Sequence, residues 1–434
     1  MGDKTGIEWC DATWNPIVGC SVVSPGCTNC YAMRMAARIE AMQSGDPLTA
    51  IAVHEGFKRK SIYAGLTEPS KAGPVWTGKV ALASDDVLTK PLHWRRPRRI
   101  FVNSMGDLFH ESVPDAWIDR VFAVMALSPQ HTFIVLTKRA KRMREYVGQL
   151  GKNADRDRSN CLPAVWQTRL ADANPPGSIP LSRADAQRAL GVAAKFDYDP
   201  ATPAWPLPNV ILGVSAEDQR RADERIPDLL ATPAATRIVS IEPMLGPIDL
   251  RRLQYASGDL LPEEMRVNEE RCSVDALNGQ SIWPGSHYIS PTIVRRARFD
   301  DGELWQTDGD SRRLDGVIVG GESGPGARPM HPGWVRSIRD QCAATGVPFF
   351  FKQWGEWAPG NAFGLIEDHP VSDRWGNVNN WLSRYVVCDD RADHLRGHSF
   401  TSHATNLVFR VGKRRAGRLL DGVEHNDLPW SVGQ

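Results

Sequence analysis

Three thiols, Cys20, Cys27 and Cys30, stand in the run Gly19-Cys20-Ser21-Val22-Val23-Ser24-Pro25-Gly26-Cys27-Thr28-Asn29-Cys30-Tyr31, a C-x6-C-x2-C spacing. The number of thiols matters chemically. Four thiolates close a zinc or iron–sulfur site, whereas three leave one coordination position open for a reaction. On a [4Fe–4S] cluster, three cysteines leave one iron free for a substrate or cofactor. The spacing alone admits an iron–sulfur cluster, a zinc ion, or buried thiols that hold no metal. Cys10 can supply a fourth thiolate and close the site, but is read as a small core residue.

Elements that position such a loop are visible as short apolar runs alternating with helical patterns, the sign of repeated βα units. The runs predict eight strands, at 14–18, 79–83, 99–104, 132–137, 210–215, 237–241, 316–320 and 348–352. Their β-branched, nearly all-apolar centres suit strands of a parallel sheet covered on both faces. Helices are expected between them at 115–127, 139–150, 219–231 and 332–344. Eight units make an α/β fold of (β/α)-barrel type, complete or partial. Residues 1–380 read as the barrel-like catalytic domain, with insertions at about 151–208 and 251–314 and a 381–434 extension packing on the barrel. A helix is expected at 182–194 in the first insertion, and the second carries Trp283 and Trp305.

In such barrels, chemistry collects at the carboxyl ends of the strands. Most predicted strands here end in polar groups: Cys20, Asp107, Thr137-Lys138-Arg139, Glu217, Glu242, Gly320-Gly321-Glu322-Ser323 and Lys352. Glu217, Glu242, Lys138 and Lys352 are the catalytic candidates at a shared mouth. Gly320, Gly321, Glu322 and Ser323 form a glycine-rich turn able to approach an anion or a cofactor amine, or to serve as a plain strand-to-helix turn. Asp107 and His110 suit either an acid/base pair or a structural hydrogen bond. The basic run at 95–99 precedes a strand and reads as a solvated face. Lys138, Arg139, Lys141, Arg142 and Arg144 follow one, and are the better candidates for phosphate contacts.

Bulk properties narrow the setting. The chain has 434 residues, net charge +1 and 24% charged residues, so nothing drives it globally toward nucleic acid or anionic membrane. Eight Cys are too few for a disulfide scaffold. The first residues lack an apolar signal region, and no stretch approaches the ~20 apolar residues of a membrane span. A cytoplasmic location with no membrane partner is expected. Fifteen Trp suggest aromatic-lined pockets or many core anchors.

Several stretches resemble the phage gene-product 37/68 family, a group of uncharacterised proteins with a three-Cys motif. They include Ile7-Glu8-Trp9, Thr13-Trp14-Asn15-Pro16, the Cys20–Cys30 loop, Asp107-Leu108-Phe109-His110, Leu136-Thr137-Lys138-Arg139, the 320–330 run and Phe351-Lys352-Gln353-Trp354-Gly355-Glu356-Trp357. The resemblance covers nearly the whole chain outside the two insertions. The triplet of that family is similar to that of radical S-adenosylmethionine enzymes, DNA photoproduct lyases among them. The resemblance implies a [4Fe–4S] cluster on Cys20, Cys27 and Cys30, and S-adenosylmethionine on the open iron as a source of 5′-deoxyadenosyl radical. It also implies shielding by Tyr31 and a role for Gly320-Gly321-Glu322 near the methionine amine. Two departures stand out: radical enzymes usually space the thiols C-x3-C-x2-C, and their glycine-rich element follows the second strand.

The leading expectation is a radical S-adenosylmethionine-like iron–sulfur enzyme, with nucleic acid or a nucleotide as substrate. A second reading is a zinc- or cluster-stabilised binding protein, with Cys10 closing the site and the mouth recognising a protein partner. A third is a hydrolase or lyase built on Glu217, Glu242 and Glu322.

Overall fold

Thr132–Thr137 (TFIVLT) and Val210–Ser215 (VILGVS) are apolar at nearly every position and buried along most of their length, as strands covered on both faces must be. The computed structural model describes residues 5–44, 61–156, 205–254, 273–282, 312–359, 385–387 and 407–430. The chain divides into two units, Met1–Val214 with Thr232–Thr236, and Ser215–Ala231 with Arg237–Gln434.

The first unit opens with β1 (Ala12–Trp14) and β2 (Ile17–Val18), followed by helix α1 (Tyr31–Ser44). The hairpin β3 (Thr67–Ser70) and β4 (Gly73–Trp76) and the short β5 (Ala81–Leu82) come next. Then follow β6 (Arg99–Val102), α2 (Asp115–Ala126), β7 (Thr132–Thr137), α3 (Ala140–Arg156) and β8 (Val210–Ser215). Strands β1, β6, β7 and β8 are parallel neighbours in that order, with Trp14 opposite Val102 and Val102 opposite Val135.

The second unit holds α4 (Gln219–Ala231), β9 (Thr236–Ile241) and a small antiparallel sheet of β10 (Leu253–Gln254), β11 (Ser273–Asp275) and β12 (Gln280–Ile282). Strand β13 (Gly316–Gly320), α5 (Pro332–Thr345) and β14 (Phe349–Gln353) follow. A second antiparallel sheet closes the unit: β15 (Trp357–Pro359), β16 (Tyr385–Val387) and β17 (Leu407–Arg410). Strands β9, β13 and β14 are parallel neighbours. Helix α5 has sequence-coded ends. The His331 Nδ1 accepts from Gly333 N at 2.8 Å, Pro332 takes the first turn, and Gly346 at φ 67° ends the helix.

The expected α/β class with parallel strands is therefore present. Six of the eight predicted strands join parallel neighbours. The first, at 14–18, is split: Trp14 ends parallel strand β1, whereas Ile17–Val18 forms β2, and the expected strand at 79–83 is extended only at Ala81–Leu82, which pairs antiparallel with β2. Two extended residues are too few to build the strand of a βα unit. The expected helix at 139–150 runs on to Arg156. The helix at 182–194, Trp283 and Trp305 lie outside the described residues, as do most of both insertions and half of the extension. No helix among the described residues is long and apolar enough to cross a membrane.

The most deeply buried histidine among the described residues lies in the core of the first unit. His131 is 1% exposed, edge-on to Trp94 and Phe133, and its Nε2 lies 3.1 Å from the Pro91 carbonyl oxygen. Burial lowers its pKa to about 4, with the Arg98 cation adding to the effect. The unfolded ring protonates near pH 6.5, so its contribution to stability is complete above that and is lost as pH falls toward 4. That contribution is about 2–3 kcal/mol. Chemical denaturation at pH 7 and pH 4.5 will show a smaller pH-dependent loss for His131→Gln than for the parent chain.

Candidate functional site

The three-thiol loop is tied down at its beginning by two asparagines. Asn15 Oδ1 accepts from Met105 N at 3.0 Å, and Asn103 Oδ1 accepts from Ile17 N at 3.2 Å. Asn103 adopts φ 57°, a left-handed conformation that asparagine tolerates better than most residues. Gly19, at φ 95°, donates to the Met105 carbonyl at 3.1 Å, and an added Cβ there would strike the Lys79 carbonyl. These contacts fasten Cys20 beside the carboxyl end of β6. Pro25–Cys27 forms one 3-10 turn, and Cys30 N donates to Cys27 O at 3.2 Å just before α1 begins. The Tyr31 hydroxyl donates to the Ser104 carbonyl at 2.6 Å, while the ring stays exposed.

Arg139, at the carboxyl end of β7, is the organising cation. Its side chain is 5% exposed. Its Nη1 donates to Cys20 Sγ at 3.4 Å and to Asp107 Oδ2 at 3.2 Å. Nη2 donates to Ser21 Oγ at 2.7 Å and to the Ser21 carbonyl at 3.3 Å, and Nε reaches Glu111 at 3.3 Å. Asp107 is fixed in turn by the Thr137 hydroxyl at 2.7 Å, by Phe109 N at 3.0 Å and by Lys138 N at 3.1 Å. His110 completes the net. Ser112 N donates to its Nδ1, so Nε2 carries the proton and donates to Ser21 Oγ at 2.9 Å. Asp107 and His110 thus hold the loop, which accounts for both without an acid/base step.

The charges around the thiols follow from this geometry. Burial pushes the Cys20 thiol up to about 12, with Asp107 adding to the shift and Arg139 opposing it. Burial also raises Cys30, opposed by the amides of Ala32 and Met33 at the start of α1 and by the Lys138 ammonium. Raised in this way, Cys20 and Cys30 keep their protons until a metal displaces them. Among the described residues, no three His, Cys, Asp or Glu side chains stand gathered around a metal position. The fit to an iron–sulfur cluster is therefore one of donor chemistry. Three soft sulfurs lie on one short loop, with the Arg139 and Lys138 cations placed to balance an anionic thiolate cluster. Cys10 precedes β1, beside Arg99 at the amino end of β6, whereas Cys20 follows β2 near the carboxyl end of β6.

The remaining predicted residues belong to the second unit, apart from Lys138. Glu242 and Lys352 come together, Oε1 to Nζ at 3.0 Å, at the carboxyl ends of β9 and β14, and both are partly exposed. Glu217 is fully buried and paired with Arg225 at 3.1 Å, which also donates to the Ser215 carbonyl at 2.6 Å. Glu322 receives Arg328 through Nη2 at 2.6 Å, Nε at 2.9 Å and the backbone N at 2.8 Å, which closes the loop around Ser323. Gly320 and Gly321 are glycine for packing: an added Cβ would strike the Glu242 carboxylate at the first and the Trp354 carbonyl at the second. Arg142 also turns inward, donating to the carbonyls of His110 and Val113 and pairing with Asp115 at 3.0 Å. Two cations of the 138–144 run are thus structural. Spacing suggested a phosphate role for Arg139; its grip on Cys20 depends on two strand ends brought together and has no sequence signal.

Replacing Arg139 by Met leaves the Asp107 carboxylate buried without its cation, at a cost of about 3–5 kcal/mol in chemical denaturation. Gly321→Ala will lower the thermal midpoint of the chain, because the obstructing Trp354 carbonyl is backbone and cannot rotate away.

No curated protein and no solved structure matches this chain. One family does, over residues 4–429, under the description "Protein of unknown function (DUF5131)". The chain belongs to that family.

Proposed function

We propose that this chain is a radical S-adenosylmethionine-like iron–sulfur enzyme on a partial (β/α) barrel, related to the phage gene-product 37/68 proteins and acting on nucleic acid or a nucleotide. The observation that carries the reading is the Cys20–Cys30 loop at a carboxyl strand end, with a buried guanidinium 3.4 Å from one thiol. A three-thiolate site that must carry negative charge is well served by that cation and by Lys138. Cys20, Cys27 and Cys30 would hold the cluster. When bound, a [4Fe–4S] cluster with an open iron supplies one-electron reduction of S-adenosylmethionine.

The chain's own residues divide the remaining work. Arg139 orients Cys20 and Ser21, and Tyr31 stands exposed at the edge of the loop. Glu242 and Lys352 orient one another as an ion pair, Oε1 to Nζ, at a partly exposed strand end. Glu322, held by Arg328, fixes the 322–328 loop. The carboxylate hydrolase reading has less support, since Glu217 is fully buried against Arg225.

Iron, acid-labile sulfide and zinc, measured on protein purified without oxygen, test the reading. About four iron and four sulfide per chain, with a paramagnetic signal that changes on adding S-adenosylmethionine, are expected; zinc alone would sink it. Cys27→Ala will lose the iron, whereas Cys10→Ala will keep it. Loss of metal in both variants would favour the closed, four-thiolate binding protein.

A further inference from the structure

The turn after β17 carries the sequence Arg410-Val411-Gly412-Lys413-Arg414-Arg415-Ala416-Gly417-Arg418, and no acidic residue occurs between 407 and 420. Arg410, Lys413, Arg414 and Arg415 are all exposed. Among the described residues, none of these four meets an acid at ion-pair distance. Several other arginines of the second unit have side-chain partners. Arg225, Arg251, Arg328, Arg336 and Arg339 each hold a carboxylate, and Arg418 lies over the Phe350 ring and 3.9 Å from Glu424. Four outward cations within six residues, none with a counter-charge among the described residues, concentrate positive charge locally in a chain of net charge +1.

The turn is also held in place. Val411 N and Gly412 N donate to the Glu356 carbonyl at 2.9 and 3.0 Å. Buried Trp354 donates its backbone N to Gly417 O at 3.1 Å and its indole N–H to Leu419 O at 2.9 Å. Ala416 is 5% exposed and seats the turn. The segment that receives these bonds, Trp354 to Glu356, leaves the carboxyl end of β14 directly after Lys352 and Gln353. Glu356 in turn donates its N to Glu322 O and accepts from Gly324 N. The cations are therefore anchored at the strand ends that carry Lys352 and Glu322.

We infer that this turn is a phosphate-binding surface that grips the backbone of a nucleic acid beside the Glu242–Lys352 pair. Guanidinium forks suit the paired oxygens of a phosphate, and three of the four cations are arginine. A row of phosphates meets several cations at once, which isolated anions do not. The helical piece, Lys413–Ala416, is four residues long and offers no extended apolar face of the kind that lies on a membrane. The inference deepens the proposed function by locating its substrate contact, and it rests on that reading only for the chemistry that follows binding.

The test uses the full chain and labelled single-stranded DNA, single-stranded RNA and duplex DNA, with anisotropy read across a salt series. The triple variant Lys413→Ala, Arg414→Ala, Arg415→Ala is compared with Arg95→Ala, Arg96→Ala, which removes exposed cations before β6. Circular dichroism and thermal melts confirm that both variants fold. The turn variant is expected to bind at least tenfold more weakly at low salt. Its slope of log affinity against log salt should shrink by roughly 2 to 3 units for three lost phosphate contacts, while the control changes little. Equal loss in the control, no binding by the parent chain at low salt, or binding only to anionic vesicles would each overturn the inference. Iron and sulfide content on the same preparations separates the two ideas. Binding lost with the turn in a cluster-free chain keeps the surface and sinks the enzyme reading; a cluster-bearing chain indifferent to nucleic acid does the reverse.

Discussion

A guanidinium with almost no access to water needs its charge answered on every side, and around Arg139 that requirement draws the cysteine loop into place. Its five donors reach Asp107, Glu111, Cys20 and both oxygens of Ser21. Those partners come from the stretch after β6 and from the loop after β2, so the cation, itself at the end of β7, joins three separate stretches of chain. A buried ion pair of this kind contributes little net stability over an apolar substitute, yet breaking it is costly. Its use here is positional, because the loop that carries the thiols is only one of the segments it orders.

The same economy of charge recurs in the second unit, in a different form. Glu217–Arg225 and Glu322–Arg328 each brace the chain where it leaves a parallel strand. Gly321 lets that backbone pass close beneath Trp354, and Gly320 makes room for the Glu242 carboxylate. What these braces leave at the strand ends is the Glu242–Lys352 pair, partly exposed where Glu217–Arg225 is enclosed. Cations thus fall into two kinds. Arg139, Arg142, Arg225 and Arg328 are turned inward to hold loops, while Arg410, Lys413, Arg414 and Arg415 face solvent from an anchored turn.

A local sequence run cannot reveal which of these two kinds a cation belongs to. The five cations between 138 and 144 and those between 410 and 415 look alike as text. One run enters α3 with Arg139 and Arg142 directed at the first unit's own carbonyls and carboxylates, and the other ends β17 and rides the four-residue helix after it. The difference depends on what lies across from each side chain, which is a long-range property.

The class and much of the element order are legible in local runs of residues. Runs such as Gly316–Gly320 (GVIVG) declare buried parallel strands because β-branched residues fill both faces, and His331, Pro332 and Gly346 write the two ends of α5. The three thiols and their spacing are equally local and needed no fold to be seen. Tertiary structure alone decided that the short run at 81–82 pairs antiparallel with β2, and that Glu217 is enclosed while Glu242 meets Lys352. It also turned Asp107, His110 and Arg139 into the frame of the cysteine loop. The physical reason is common to these cases: hydrophobic periodicity is set by near neighbours along the chain, whereas the burial and partner of a charged side chain are set by residues tens of positions away.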